Sequence, residues 1–162
     1  MSSDTYEILA LKYAGLAARR RLDSFIAADD HDSPHPIDYF IWVIRNAERT
    51  IVVDTGFDAA EGAKRGRKVD RAPAAALEQI GISAGNVEQV VVTHLHYDHA
   101  GTLGAFPKAR FHLQEAEMAY ATGPCMCHNF LRYPFTVEHV CDMVKNVYSG
   151  RVAFHDGDAE VA

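Results

Sequence analysis

The chain has little that would stabilise it by disulfides or place it in a membrane. Its three cysteines, Cys125, Cys127 and Cys141, form no disulfide-like pattern, which favours a reducing compartment. No apolar run approaches the roughly 18 residues needed to cross a bilayer, and the N-terminal MSSDTYEIL lacks the basic and apolar segments of a secretory signal. A formal charge of −6 gives no electrostatic reason to expect nucleic acid or an anionic membrane as partner. These absences predict a cytoplasmic protein.

What is present is typical of a soluble globular domain, with 48% apolar and 23% charged residues. A chain of 162 residues is long enough for one domain with a real core and short for two. No repeat, low-complexity tract or linker divides the sequence. The sequence therefore predicts a single domain over residues 1–162.

The most informative stretch is VVVTHLHYDHAG, in which an apolar run leads directly into His94, His96, Asp98 and His99. Burying three imidazoles and a carboxylate together without partners would be costly. Neutral imidazole nitrogen and carboxylate oxygen are, however, good zinc ligands. Side chains two apart at the end of a strand point the same way, so His94 and His96 are expected to bind one ion. Asp98 and His99 are then expected to bind a second ion beside it.

HLHYDH resembles the HxHxDH signature of the metallo-β-lactamase superfamily. The order DYFIWVI, TIVVDTGFD, the histidine motif and TLGAFPKARFHLQEAEMAYA is similar to that of the N-acyl homoserine lactonase-like group. The resemblance implies an α/β fold, an αββα sandwich of two similar halves with two divalent metal ions at one edge. Zinc is the first expectation for these ions, and iron, manganese or cobalt suit the same donors.

The resemblance also implies a metal-dependent hydrolase that opens a small-molecule lactone, such as an N-acyl homoserine lactone, by attack of a metal-bound hydroxide. Asp98 resembles the aspartate that binds metal and also steers the water or passes a proton to the leaving alkoxide. The alternatives are a thioesterase or glyoxalase-type hydrolase on the same fold, or an inactive truncated fragment.

Asp54 begins a DTG element directly after a predicted strand. Ligating histidines usually need an orienting partner, so Asp54 is expected to hydrogen-bond one of them. The alternative is a turn-forming aspartate that caps its own backbone. The family resemblance favours the first interpretation.

The C-terminal end departs from the family pattern. The second half of the family fold supplies a third histidine, a bridging aspartate and a final histidine, and none of these follows the DGD turn at 156–158. The sequence is therefore expected to be the N-terminal half to two-thirds of a longer domain, with apolar surface exposed where the second sheet would pack. A homodimer that rebuilds the sandwich is the alternative. His155 lacks the family's glycine-rich turn and is not expected to be a ligand.

The remaining pattern predicts alternating strands and helices. Strands are predicted at 6–13, 37–45, 50–54, 87–93, 109–113 and 151–154, and helices at 73–80, 114–121 and 137–147. A polar connection is predicted at 57–71, with its basic run Lys64, Arg65, Arg67 and Lys68 solvated.

The region from Cys125 to Tyr148 is the least expected part of the chain. The spacing of Cys125, Cys127 and His128 does not match common zinc knuckles, so a lid or pocket wall is favoured over a metal site. Aromatic residues from Phe130 to Phe135 could line a pocket for an acyl tail.

Overall fold

The computed structural model describes residues 5–25 and 32–161, which are organised by one sheet of seven strands. The strands are β1 (Glu7–Leu16), β2 (Ile37–Arg45), β3 (Thr50–Val53), β4 (Lys68–Val69), β5 (Gln89–Val91), β6 (Arg110–Gln114) and β7 (Val152–His155). The α-helices in the same ranges are α1 (Ala59–Lys64), α2 (Pro73–Glu78), α3 (Tyr97–Ala100), α4 (Glu115–Thr122), α5 (Asn129–Arg132) and α6 (Val137–Tyr148).

The strand order is β4-β1-β2-β3-β5-β6-β7. Strands β4, β1, β2 and β3 pair antiparallel, whereas β3, β5, β6 and β7 pair parallel. Parallel neighbours bring their carboxyl ends to the same edge of a sheet. The residues that follow β3 and β5, among them Asp54 and the histidine motif, therefore meet at one edge.

Alternation along β2 separates the two faces of the sheet. Tyr39, Ile41 and Val43 are buried, while Phe40 is 38% and Trp42 is 43% exposed. The buried face joins a core to which the helices contribute, among others, three residues: Leu77 of α2, Ala121 of α4 and Met143 of α6. The opposite face, which includes Phe40 and Trp42, leaves apolar side chains uncovered within the described residues.

Most predicted elements are confirmed to within about three residues. Helix α4 ends at Thr122, with Gly123 as its C-cap, in agreement with the predicted stop at Gly123. A Cβ at Gly123 would lie 2.6 Å from the carbonyl oxygen of Ala119, so this position favours glycine. The stretch at 29–36 (DDHDSPHP), whose Asp, Ser and Pro content predicts a loop, lies partly outside the described residues. No helix among the described residues is both long and apolar enough to cross a membrane.

The prediction of a polar, solvated connection at 57–71 is wrong, because this segment contains α1 and β4. Lys64 and Lys68 are solvated as expected, but the side chain of Arg65 is only 13% exposed. Arg65 Nε donates to Glu61 Oε1 at 2.6 Å, and Arg67 Nε donates to the hydroxyl of Tyr39 at 3.1 Å. Glu61 and Arg65 are four residues apart, so they lie on the same side of the helix and pair with each other. The basic composition of the segment does not reveal this pairing.

Glu61 is a buried carboxylate whose charge is stabilised by its neighbours. Burial alone would raise the pKa of Glu61, but hydrogen bonds from Thr136 and Arg65 outweigh it and lower the pKa from its ordinary value. Its contribution to stability is therefore complete above the ordinary carboxyl pKa and is lost as pH falls through the lowered, folded-state pKa.

Replacing Glu61 with Gln should lower the free energy of unfolding at pH 7 by about 2 kcal/mol, because charged hydrogen bonds to Arg65 and Thr136 are weakened. The difference from the parent chain should shrink in strongly acidic buffer, where the parent carboxyl is protonated. Urea unfolding at both pH values measures this. Glu48→Gln, at an exposed position in the β2–β3 turn, is the matched control. Equal stabilities of Glu61→Gln and Glu48→Gln at pH 7 would contradict the prediction.

Candidate metal centre

The histidine motif lies at the carboxyl edge of the sheet, between β5 and the short helix α3. His94 and His96 follow the strand, and their ring centroids are 4.3 Å apart. His99 lies on α3, with its ring centroid 3.8 Å from that of His94. Asp98 Oδ2 is 3.5 Å from His99 Nε2. The structure thus brings the four predicted ligands His94, His96, Asp98 and His99 together.

Asp54 lies directly behind this cluster and is 4% exposed. Its Oδ2 is 2.7 Å from His99 Nδ1, and its Oδ1 accepts a hydrogen bond of 2.8 Å from the backbone N–H of Thr93. Thr93 Oγ1 also donates to the same carboxylate. The predicted contact between Asp54 and a motif histidine is therefore present, and it leaves His99 Nε2 directed away from Asp54.

The backbone of Asp54 is in the left-handed region, with φ 63°. Few non-glycine residues adopt this conformation, although aspartate does so more readily than most. Such strain costs about 1–3 kcal/mol and persists only where surrounding contacts require it. At Asp54 the hydrogen bonds to Thr93 and His99 hold the backbone in this conformation.

Hydrogen bonds join the DTG loop to the end of the motif. Thr55 N–H donates to the carbonyl of His99 at 2.7 Å, and Gly101 N–H donates to the carbonyl of Gly56 at 2.8 Å. A Cβ on Gly101 would lie 2.7 Å from the same Gly56 oxygen, closer than real Cβ contacts allow. Gly101 is therefore required by this close approach of two backbones.

The pKa values of the motif residues are shifted in different directions by their surroundings. Burial, together with the neighbouring imidazoles of His99 and His96, lowers the pKa of His94 to about 4. Burial also lowers the pKa of His96. For His99 burial acts in the same direction, but hydrogen bonds to Asp54 and Asp98 outweigh it and raise the pKa to about 9. Asp98 would have its pKa raised by burial, but His99 lowers it overall, so Asp98 is a carboxylate at neutral pH.

The donor set fits divalent metal ions in type. His94 and His96 are neutral imidazoles at neutral pH, and Asp98 adds an oxygen donor. The raised pKa of His99 keeps it protonated in the metal-free protein, so its Nε2 becomes a donor when an ion displaces that proton. Among residues 5–25 and 32–161, however, no group of three or more His, Cys, Asp or Glu is already spaced to hold an ion. The assignment of His94, His96, Asp98 and His99 as ligands stays a prediction.

Other candidate donors lie outside this cluster. Cys125 and Cys127 are in a short 3-10 turn, Pro124–Cys127, where Cys127 is exposed. His155 Nε2 is hydrogen-bonded to His112 Nδ1 at 2.9 Å, and His112 Nε2 contacts Gln89. His155 thus belongs to a separate row of hydrogen-bonded side chains that runs across the sheet through His112 to Gln89.

Sequence reasoning missed Glu117, which braces the motif from α4. Glu117 Oε1 accepts a hydrogen bond of 2.7 Å from the backbone N–H of Leu95, the residue between His94 and His96. The available signal was an acidic residue in the first turn of a helix that begins at the same sheet edge. The contacts of Arg65, at the end of α1, and of Phe135, in the segment before α6, with the motif were also not predicted.

Residues 36–159 match the family model described as the Metallo-beta-lactamase superfamily. The chain belongs to this superfamily. Among curated proteins it is 40% identical over 55 residues to N-acyl homoserine lactonase AttM of Azorhizobium caulinodans, covering 34% of this chain and 21% of that protein. It is 29% identical over 119 residues to the probable metallo-hydrolase Mb2322c of Mycobacterium bovis, covering 61% and 38%.

Solved structures confirm the predicted fold class. The hydrolase AbOPH of the beta lactamase superfamily superposes with a TM-score of 0.72 at 17% identity, over 99% of this chain and 61% of that one. A quorum-quenching N-acyl homoserine lactone lactonase gives 0.66 at 19% identity, over 97% and 59%. The superfamily chain described here thus spans about 60% of the length of these structures.

Asp54→Asn should weaken zinc binding about 10- to 100-fold, the usual cost of losing an outer partner of a ligating histidine. Asparagine tolerates the same backbone conformation, but it lacks the second carboxylate oxygen that faces His99 Nδ1. Competition titration with a chelating dye measures the affinity. Asp38→Asn removes the same charge from a largely exposed pair with Lys12 and is the control. Unchanged affinity in Asp54→Asn would contradict the assigned role.

Proposed function

We propose that this chain contributes the metal-binding motif of a hydrolase that opens lactones of the N-acyl homoserine lactone type. The proposal is carried by one observation: three imidazoles and a carboxylate converge at the sheet edge with a buried aspartate, Asp54, behind them. Membership of the superfamily supports the use of divalent metal ions. The names of the AttM relatives support a lactone as substrate.

His94 and His96 would hold the first ion, and Asp98 and His99 the second. When bound, such ions lower the pKa of water towards neutrality and withdraw charge from a carbonyl oxygen. The protein's own part is to present neutral imidazoles. Desolvation keeps His94 and His96 unprotonated, while the Asp54 carboxylate fixes the Nδ1 side of His99 and leaves Nε2 for the ion.

Asp98 is suited to a second role in the reaction. Its side chain is 21% exposed, so it can be reached from the open side of the centre. Its lowered pKa keeps it ionised, and a carboxylate in this position can accept a proton and return it to the leaving alkoxide. We therefore assign Asp98 as the catalytic residue in addition to its place as a ligand.

An apolar cavity next to the centre suits the acyl part of such a substrate. The cavity has a volume of about 650 Å³, and its lining includes Met126, Tyr133, Phe135 and Val140. The ring of Phe135 also contacts His96, with centroids 4.8 Å apart. The cavity and the candidate centre thus share a wall. Of the aromatic residues expected to line a pocket, Tyr133 and Phe135 do so, whereas Phe130 is 75% exposed and does not.

His96→Ala should reduce zinc affinity at least about 100-fold and should abolish lactone opening. The loss should be larger than for Asp54→Asn, because a ligand itself is removed and not only the hydrogen-bond partner of a ligand. Bound metal is measured by elemental analysis after dialysis, and ring opening by acid release in a pH-stat. His128→Ala, at an exposed position beside Cys127, is the control and should keep both.

Two outcomes would contradict the proposal. Loss of metal in His128→Ala but not in His96→Ala would move the site to the cysteine segment. A parent protein that binds zinc but hydrolyses thioesters and not lactones would keep the metal centre and refute the substrate.

A further inference from the structure

The segment Tyr133–Thr136, between α5 and α6, is tied to the rest of the protein at three successive carbonyl groups. Arg65 Nη1 donates to the carbonyl of Tyr133 at 3.0 Å, and Arg65 Nη2 donates to that of Phe135 at 3.2 Å. Between them, the backbone N–H of Tyr97 donates to the carbonyl of Pro134 at 2.9 Å. A connection held at each carbonyl in turn has little freedom to move.

The side chain of Arg65 is held by hydrogen bonds and by contact with an aromatic ring. Its Nε bonds Glu61 Oε1, its Nη2 bonds Thr136 Oγ1 at 3.1 Å, and its guanidinium stacks 4.0 Å above the ring of Tyr97. Glu61 also accepts from the Thr136 hydroxyl, so the carboxylate, the guanidinium and the segment form one closed network. A planar fork of five N–H donors suits this arrangement, which a lysine could not reproduce.

The segment places Phe135 against a predicted metal ligand. The rings of Phe135 and His96 meet edge to face, with centroids 4.8 Å apart and planes at 86°. On its other side Phe135 contacts Tyr120, at 6.0 Å between centroids. An edge-to-face contact restricts rotation of the imidazole about its own axis, and that rotation decides where its nitrogens point.

The geometry points to Arg65 as a positioning residue for the candidate metal centre: by fixing Tyr133–Thr136 it holds Phe135 against His96 and so sets the plane of that imidazole. The role in ion binding rests on the proposed function. The orientation of the ring does not, because the contacts exist among the chain's own residues.

A double-mutant cycle on zinc affinity tests the route through Phe135. Arg65→Met and Phe135→Leu should each weaken binding about tenfold. The double variant should be no weaker than the worse single variant, because both changes remove the same constraint. Additive losses would overturn the route, and so would full affinity in Arg65→Met. Arg65→Lys should behave as Arg65→Met does.

The second readout needs no metal. The ring current of Phe135 should displace the proton resonances of His96, and Arg65→Met should shift them towards their positions in Phe135→Leu. Arg132→Met, the same change at an exposed arginine of α5, should leave them in place. Resonances of Arg65→Met that match the parent chain would overturn the inference. If the parent chain binds no zinc, the proposed function fails and these spectra alone decide the role of Arg65.

A gentler variant covers the case in which Arg65→Met does not fold. Thr136→Val removes one acceptor of Arg65 and one donor to Glu61 while keeping the side-chain volume. It should shift the His96 resonances in the same direction by a smaller amount. Unshifted resonances in a folded Thr136→Val, with Arg65→Met unfolded, would overturn the inference.

Discussion

One buried carboxylate, that of Asp54, joins the parts of the candidate centre. It lies just past β3 in a backbone conformation that is stable only because its oxygens are occupied by Thr93 and His99. These two partners belong to the loop after β5 and to α3, so a single side chain connects three segments. The close packing of Gly101 on Gly56 holds the same segments together through their backbones. The connection through Asp54 also fixes the Nδ1 side of the His99 ring.

A second layer of contacts surrounds the first. Arg65 and Glu61 link α1 to the segment before α6, and that segment places Phe135 on His96. Glu117 of α4 accepts a hydrogen bond from the backbone between His94 and His96. The fold therefore orients the motif from several elements that lie far apart in sequence. Their meeting follows from the parallel strands, whose carboxyl ends share one edge.

The sequence predicted the parts of the fold that depend on local pattern. Strand alternation and helix stop signals located most elements, and the HxHxDH motif with its DTG partner indicated the centre. The prediction for the basic run at 57–71 was wrong because a run of charged residues usually lies on the surface. The sequence does not show that Arg65 forms a mostly buried ion pair with Glu61, one helical turn away. The contacts of Glu117 and Phe135 with the motif were missed for a related reason. Their roles arise from tertiary contacts over long sequence separations, which no local spacing encodes.

The proposed function depends on the binding of divalent ions by the histidine motif at the carboxyl edge of the sheet. X-ray absorption at the zinc edge, on the protein loaded with zinc and freed of excess metal, tests it most directly. The account predicts a first shell of nitrogen and oxygen near 2.0–2.2 Å with the outer scattering of imidazole rings, and loss of that imidazole signal when His94 and His96 are both replaced by alanine. A shell dominated by sulfur near 2.3 Å, or an imidazole signal unchanged by the double replacement, would contradict it.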